Sequence, residues 1–98
     1  MVGEISSAIR ALHVLELNYP PGIRTVEPHA LGYGSDGQIL LRAYQTSGAS
    51  SSGEHEHWKL FRIDRLISLA TSDDQFSGPR DGYRRGDRAM KRGIVEQL

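Results

Sequence analysis

The sequence predicts a small, mainly β domain with a short helix at each end. Three observations support this prediction. Apolar and polar residues alternate along several short segments, as in strands with one buried face. Proline, glycine and an Asp-Gly dipeptide separate these segments, as expected of tight turns. Near both termini, apolar residues instead recur every three or four positions, the spacing of a helix. Several short strands at regular spacing are typical of a small barrel or a sandwich, and a barrel leaves no strand edge open.

The N-terminal third of the chain shows a change of period. Residues 4–12 are predicted to form an amphipathic helix, because Ile5, Ala8, Ile9 and Leu12 share one helical face. From His13 onward the period is two, which places Leu15, Leu17 and Tyr19 on one face of a strand. Pro20-Pro21-Gly22 ends this strand, because proline lacks a backbone donor and glycine permits a turn.

Three or four further short strands are predicted. The first covers residues 24–33, and its Pro28 indicates an edge position or a bulge. The turn at residues 34–37 leads to the clearest strand, residues 38–45. Residues 46–56 are small and polar and form a flexible connection to a strand at residues 57–63. Leu66, Ile67 and Leu69 suggest one more short strand.

The C-terminal part is expected to be less regular. Residues 71–83 have the composition of a loop, with Phe76 attaching it to the domain. Asp87 is suited to capping a final helix in which Met90, Ile94 and Leu98 share a face, although Gly93 weakens that helix. Residues 1–76 therefore form the predicted barrel domain with its N-terminal helix. Residues 77–98, a basic loop and the C-terminal helix, belong to the same domain or form a tail.

Length and composition exclude several classes of protein. The 98 residues allow one hydrophobic core, and 38% hydrophobic with 24% charged residues is typical of a globular domain. The chain has no cysteine, which excludes disulfides and thiolate chemistry and fits a cytoplasmic location. The longest apolar runs are only a few residues, so we expect no membrane association. Net charge is zero, yet residues 79–92 hold six basic and two acidic residues.

The candidate ligand-binding residues are mainly basic. The set contains the basic residues Arg24, Arg42, Lys59, Arg62 and Arg65, together with Tyr44 and His29. Guanidinium forks match two phosphate oxygens at once, and aromatic rings stack on nucleobases. The alternative is that the arginines pair with Glu16, Glu27 and Asp64 on a solvated sheet face. The pattern of residues alone favours this ion-pairing interpretation.

Three ordered segments resemble the WYL domain family. Arg24-Thr-Val-Glu-Pro-His29 is similar to the family's Arg-x-Val-Glu-Pro stretch, and Ile39–Tyr44 occupies the place of its name-giving strand. Lys59-Leu-Phe-Arg-Ile-Asp-Arg65-Leu66 is similar to its basic segment. Together these segments span about residues 12–76. Ile39 and Leu40 stand where the family has tryptophan and tyrosine, and about a dozen residues precede the first strand, too few for a helix-turn-helix.

The resemblance implies a fold and a function. The fold is an Sm-like or SH3-like β-barrel. The function is sensing of a nucleotide or single-stranded nucleic acid, as in regulators of transcription, DNA repair or phage defence. The resemblance favours Arg24, Arg62 and Arg65 as ligand-binding residues, because they match motif positions, whereas Arg42 and Lys59 stay undecided. The alternative function is a protein-interaction or assembly module, in which strand edges or terminal helices join a partner or form a homodimer.

Other chemistries have weaker support in the sequence. Glu54-His55-Glu56-His57 would place two imidazoles on one face of a strand, but it adjoins a flexible loop, and we expect neither a metal nor a cofactor. The sequence has no Gly-x-Ser-x-Gly elbow and no phosphate-binding glycine loop, so we expect no enzyme. The basic residues from Arg80 to Arg92 would suit a nucleic-acid backbone, but a solvated tail is the favoured interpretation.

Overall fold

The computed structural model describes all 98 residues and is mainly β, with one N-terminal helix and one six-stranded antiparallel sheet. The strand order is β4-β3-β2-β1-β5, with β6 pairing to β2 beside β1. No pairing joins β4 to β5, so the sheet is open. The elements in chain order are α1 (Val2–Ala11), β1 (His13–Tyr19), β2 (Gly22–Tyr33), β3 (Ile39–Gly48), β4 (His57–Arg62), a 3-10 turn (Ile63–Arg65), β5 (Ser68–Gln75) and β6 (Ile94–Gln97).

Helix α1 lies against one side of the sheet and forms the main core with it. Its buried residues Ile5, Ala8 and Ile9 follow the helical spacing seen in the sequence. They join an apolar cluster that includes Leu41 and Phe61 of two neighbouring strands. The side of the sheet that carries Leu41 and Phe61 is called the helix face below. The helix ends at Leu12, which adopts a left-handed conformation and donates its N–H to the carbonyls of the last turn.

The opposite side of the sheet is covered by residues 76–93, called the covering segment below. Met90 of this segment packs on Ala30 and Leu40 in a second, smaller apolar cluster. Neighbouring residues in a strand point to opposite sides, so Leu40 faces this segment while Leu41 faces α1. The side that carries Leu40 is called the loop face. The sheet is therefore covered on both sides, by a helix on one and by an irregular segment on the other.

Strand β2 is central to the whole arrangement. It pairs with β3 over its length, with β1 along residues 22–26 and with β6 along Ala30–Gly32. Pro28 lies between the stretches paired to β1 and β6, at a register shift relative to β3, so of the two predicted alternatives the bulge is confirmed and the edge position is wrong. The bulge turns the consecutive residues His29 and Ala30 to the same side of the sheet, where both contact the covering segment.

The predicted C-terminal helix is wrong. Gly93 has a φ of 125°, which no α-helix accommodates, and the chain then continues as β6. Beyond residue 26 the edge of β2 next to β1 would lack partners, and β6 supplies them. At residues 94–97, backbone pairing with β2 therefore decides the structure, although the apolar residues have helical spacing. The predicted loop at residues 71–83 is likewise too long, because β5 extends to Gln75 along β1.

Candidate functional site

Arg24 lies inside the protein, on the helix face. Only 4% of it is exposed, and its guanidinium donates to the carbonyls of Tyr19 and Pro20 and to Gln45 Oε1. The Arg24 Cζ atom also lies 5.2 Å from the ring centroid of Tyr19 and 5.4 Å from that of Phe61. Burial lowers the pKa of this guanidinium. These contacts connect the β1–β2 turn to β3 and β4, which is a packing role.

The other basic residues of the β4 region lie at separate places. Lys59 shares the helix face with Ala43, and its Nζ contacts the hydroxyls of Ser50 and Ser52 at 3.1 and 3.2 Å. Arg62 pairs with Asp64 at 2.8 Å, as the ion-pairing interpretation predicts. The hydrogen bond and charge of Asp64 raise the pKa of Arg62. Arg65 is exposed in the 3-10 turn and makes no ion pair.

The remaining three predicted residues, Arg42, Tyr44 and His29, share the loop face. Arg42 and Tyr44 alternate with the core residues Leu41 and Ala43 along β3, which turns both toward the covering segment. The structure thus divides five of the seven predicted residues between two faces and places Arg62 and Arg65 at the end of β4 and in the 3-10 turn. It brings Arg42, Tyr44 and His29 together but places Arg24 and Lys59 on the other side of the sheet.

His29 is the centre of an aromatic cluster that also contains Tyr44, Trp58, Phe76 and Tyr83. Its ring centroid lies 4.7 Å from that of Trp58, 5.5 Å from Phe76 and 5.1 Å from Tyr83. Tyr44 joins through Trp58, whose centroid is 5.5 Å away. The cluster links the three strands β2, β3 and β4 to the covering segment, so the rings of Trp58 and Tyr83 are held in fixed positions.

The hydrogen bonds of His29 define its protonation state. Its Nε2 accepts the Arg80 backbone N–H at 3.1 Å, and its Nδ1 lies 2.8 Å from the Glu27 carbonyl oxygen. A nitrogen that accepts cannot carry a proton, so the proton is on Nδ1 and the ring is neutral. Burial lowers the pKa of His29, partly opposed by the hydrogen bond to the Glu27 carbonyl and by the Glu27 carboxylate.

Two forked ion pairs attach the covering segment to the loop face. Arg80 donates from Nε and Nη2 to the carboxylate of Glu27, at 2.8 and 3.2 Å. Arg42 donates in the same way to Asp87, at 2.6 and 3.2 Å. Burial alone would raise the pKa of the Asp87 carboxyl, but hydrogen bonds from Arg42 and from the Ala89 N–H outweigh it and lower that pKa. Asp87 is therefore ionised around neutral pH.

A cavity of about 650 Å³ opens between β3, β4 and the covering segment. Its walls contain four arginines, two aromatic rings, one carboxylate and two glycines; the residues are Arg42, Trp58, Gly82, Tyr83, Arg84, Arg85, Gly86, Asp87 and Arg88. We call this cavity the arginine pocket. Its volume lies in the range of small-molecule sites. Apart from Asp87 it presents only positive charge and aromatic surface.

Three of the pocket arginines have no acidic partner. Arg84, Arg85 and Arg88 are exposed and occur in none of the ion pairs of the structure, whereas Arg42 is paired with Asp87. The excess of basic residues in this segment is visible in the sequence. The sequence did not reveal where these arginines lie, because local patterns do not show that residues 84–88 fold back onto Trp58 and Arg42.

The histidines near β4 do not form a metal centre. Strand β4 begins at His57, so His55 lies outside it and the two imidazoles do not share a strand face. His55 Nδ1 contacts the Gly48 carbonyl at 2.7 Å, and His57 Nε2 lies 3.5 Å from Glu54. No group of three or more His, Cys, Asp or Glu side chains is positioned to hold a metal ion.

Comparison with known proteins supplies no relative. No protein-family model matches the chain, and no curated protein and no solved structure shows significant similarity to it. No helix in the structure has both the length and the apolar character needed to cross a membrane.

Proposed function

We propose that this chain is a regulatory domain that binds a nucleotide or single-stranded nucleic acid in the arginine pocket. The observation that carries the proposal is that four arginines and two aromatic residues, Trp58 and Tyr83, line one cavity. Guanidinium forks match phosphate oxygens in geometry and charge. Trp58 and Tyr83 supply the apolar surface on which a nucleobase stacks.

The placement of charge favours a ligand with more than one negative charge. Arg84, Arg85 and Arg88 lie within five residues of one another and have no acidic partner, in a chain whose total charge is zero. Like charges so close together repel, and a bound anion removes that repulsion. Phosphate groups supply the necessary charge and oxygen atoms.

The proposal is a binding role and not catalysis. Apart from Tyr83, the ionisable groups of the pocket are arginines and one carboxylate, and that carboxylate is hydrogen-bonded to Arg42 and Ala89. Neither a histidine nor a free acid lines the cavity to act as a general base near neutral pH.

The WYL-family assignment and the Sm-like or SH3-like fold it implies belong to the same proposal. The strand order β4-β3-β2-β1-β5 and the 3-10 turn between β4 and β5 support an Sm-like or SH3-like arrangement that is left open between these two strands. The same family resemblance supports a regulatory role. The absence of cysteine supports a cytoplasmic location.

The single tryptophan makes the binding proposal directly measurable. Trp58 lines the pocket, and the chain has no other tryptophan, so its fluorescence reports occupation of this site. We expect ADP and hexathymidylate each to change the Trp58 emission in a saturable manner. Arg84→Ala and Arg85→Ala are each expected to weaken binding by roughly tenfold, because each removes a charged hydrogen-bond donor.

Control variants separate this site from the alternatives. Arg10→Ala removes an equal charge from α1, which lies on the other face, and is expected to leave binding unchanged. Arg62→Ala and Arg65→Ala test the motif positions of the WYL resemblance. Equal losses in all five variants would indicate unspecific attraction. Losses confined to Arg62→Ala and Arg65→Ala would move the site to β4 and the 3-10 turn.

A second candidate function is protein interaction through strand edges. The outer edges of β4 and β5 have no partner strand, and two apolar residues beside them, Leu60 and Ile67, are 39% and 64% exposed. Open edges accept strands from other chains or from a second copy. This candidate predicts self-association in sedimentation, or a partner captured through these edges. A monomer at all concentrations would contradict the homodimer version.

A further inference from the structure

The arginine pocket already contains one anion, the carboxylate of Asp87. Its Oδ2 accepts from Arg42 Nε at 2.6 Å, and its Oδ1 accepts from Arg42 Nη2 at 3.2 Å. This forked contact is the one that two oxygens of a phosphate make with a guanidinium. Only 9% of the Asp87 side chain is exposed, so the contact is largely shielded from water. Asp87 is therefore already paired with Arg42, the most buried arginine of the pocket.

We propose that Asp87 is an internal competitor for Arg42, and that the phosphate-bearing ligand replaces its carboxylate when it binds. The inference rests on the proposed function and adds a regulatory step to the same site. In the free protein the Asp87 carboxylate accepts both hydrogen bonds from Nε and Nη2 of Arg42. In the complex a phosphate accepts these two hydrogen bonds instead, while Arg84, Arg85 and Arg88 bind the remaining negative charge.

The two partners differ in how firmly the backbone holds them. Arg42 lies in the middle of β3, which is paired on both sides, to β2 and to β4. Asp87 lies in the covering segment, outside any helix or strand. Exchange therefore moves the carboxylate and leaves the guanidinium in place. Loss of the Arg42 contact also leaves the Asp87 turn intact, because Oδ1 still accepts from the Ala89 N–H at 3.0 Å and the Asp87 carbonyl from the Met90 N–H at 3.0 Å.

The competitor has a consequence for selectivity. A ligand with a single negative charge exchanges one carboxylate-like contact for another and gains little. A ligand with several charges binds Arg84, Arg85 and Arg88 and also displaces Asp87, so its advantage grows with the number of phosphates. We therefore expect inorganic pyrophosphate and ADP to bind more tightly than acetate or AMP.

Asp87→Asn is the direct test. Asparagine keeps an oxygen for the Ala89 N–H but no longer neutralises Arg42, which becomes free for the ligand. Trp58 fluorescence titrations are expected to show pyrophosphate and ADP binding about five- to tenfold more tightly to Asp87→Asn than to the unaltered chain. If Asp87 only supports the covering segment, the same change weakens binding or leaves it unchanged, which overturns the inference.

Glu27→Gln is a matched control. It removes the same charge from the other forked ion pair, between Glu27 and Arg80, which also attaches the covering segment but does not line the pocket. We expect a change of less than about twofold, because the Glu27 carboxylate accepts from Arg80 and contacts no arginine of the pocket. A gain equal to that of Asp87→Asn would show a general charge effect and would contradict competition.

The role of Arg42 is tested by combining variants. Arg42→Gln is expected to weaken ligand binding, and the gain from Asp87→Asn is expected to disappear in the double variant, because both act through one contact. If Asp87→Asn does not fold, the Nε–H resonance of Arg42 in the unaltered chain decides the question. A resonance that does not shift at saturating ADP overturns the inference.

The outcomes also separate the inference from the proposed function. If neither ADP nor pyrophosphate binds to any of these proteins, the proposed function falls and the inference with it. If both ligands bind to the unaltered chain and respond to Arg84→Ala but not to Asp87→Asn, only the inference is overturned.

Discussion

We expect His29 to make stability depend on pH around neutrality. The buried ring is neutral, with its proton on Nδ1, and Nε2 accepts from Arg80. Its pKa is lowered chiefly by burial, so the unfolded chain takes up the proton first. Stability is then at its full value above the ordinary histidine pKa of about 6.5 and decreases as the pH falls below it, until the lowered folded-state pKa is reached.

We therefore expect urea unfolding to show a lower free energy of unfolding at about pH 5.5 than at about pH 7.5. His29→Gln keeps an acceptor for the Arg80 N–H but does not titrate, so it is expected to be less stable at the higher pH and to lose most of the pH dependence. His57→Gln is the control, since His57 is exposed. A pH dependence that survives in His29→Gln would refute the role of His29.

The position of Arg24 in the interior could not be predicted from its residue type. Its match to a family motif indicated a ligand contact, yet the structure gives it carbonyl and amide acceptors in the interior. The ion-pairing interpretation fared better for Arg62, whose partner Asp64 is only two residues away. Local pairs are visible in a sequence, whereas the contact between Arg24 and Gln45 depends on the pairing of β2 with β3.

At the scale of elements, β6 depends on one glycine of β2. A Cβ atom at Gly32 would collide with the carbonyl oxygen of Gly93 and lie 2.9 Å from Met90 Sδ. The Gly93 oxygen accepts the Tyr33 N–H, and Ile94 of β6 pairs with Gly32. We expect Gly32→Ala to destabilise the protein by about 2 kcal/mol and to release β6 before the main core.

Hydrogen exchange measures this effect by element. In Gly32→Ala the amides of Tyr33 and Leu98, which donate to the carbonyls of Gly93 and His29, should exchange faster, while those of β1 and β5 keep their protection. Gly3→Ala is the control, since a Cβ atom there meets nothing within 4 Å and alanine favours the helix. Uniform loss of protection across the sheet would show that β6 and the core unfold as one unit.

The sequence predicted the strands of the sheet better than its ends. Alternation located β1 and β4, a turn followed by an apolar run located β3, and Pro28 indicated an edge position or a bulge, because these features depend on neighbours in the chain. Neighbouring residues did not reveal that residues 94–97 form a strand, because that strand exists only through pairing with β2, some 65 residues earlier. The same reason kept the arginine pocket hidden, because its walls come from β3, β4 and the covering segment.

The whole molecule combines zero net charge with a strongly uneven distribution. It has 12 basic and 12 acidic residues, yet three arginines of the pocket have no acidic partner. We therefore expect attraction to a polyanion to be strongest at the arginine pocket. If hexathymidylate contacts about three of these charges, log K should fall against log salt with a slope of about −2. Between about 50 and about 200 mM salt the affinity should fall roughly 20-fold.

The variants show which charges produce this slope. Arg84→Ala removes one of the three contacts and is expected to make the slope shallower by about 0.7, whereas Arg10→Ala removes the same charge from α1 and leaves it unchanged. Fluorescence anisotropy of labelled hexathymidylate at several salt concentrations measures both values. A slope near zero in the unaltered chain would mean that phosphates do not reach the arginines. If the slope became shallower by the same amount in Arg84→Ala and Arg10→Ala, net charge alone would drive binding. The local distribution of charge argues against that outcome.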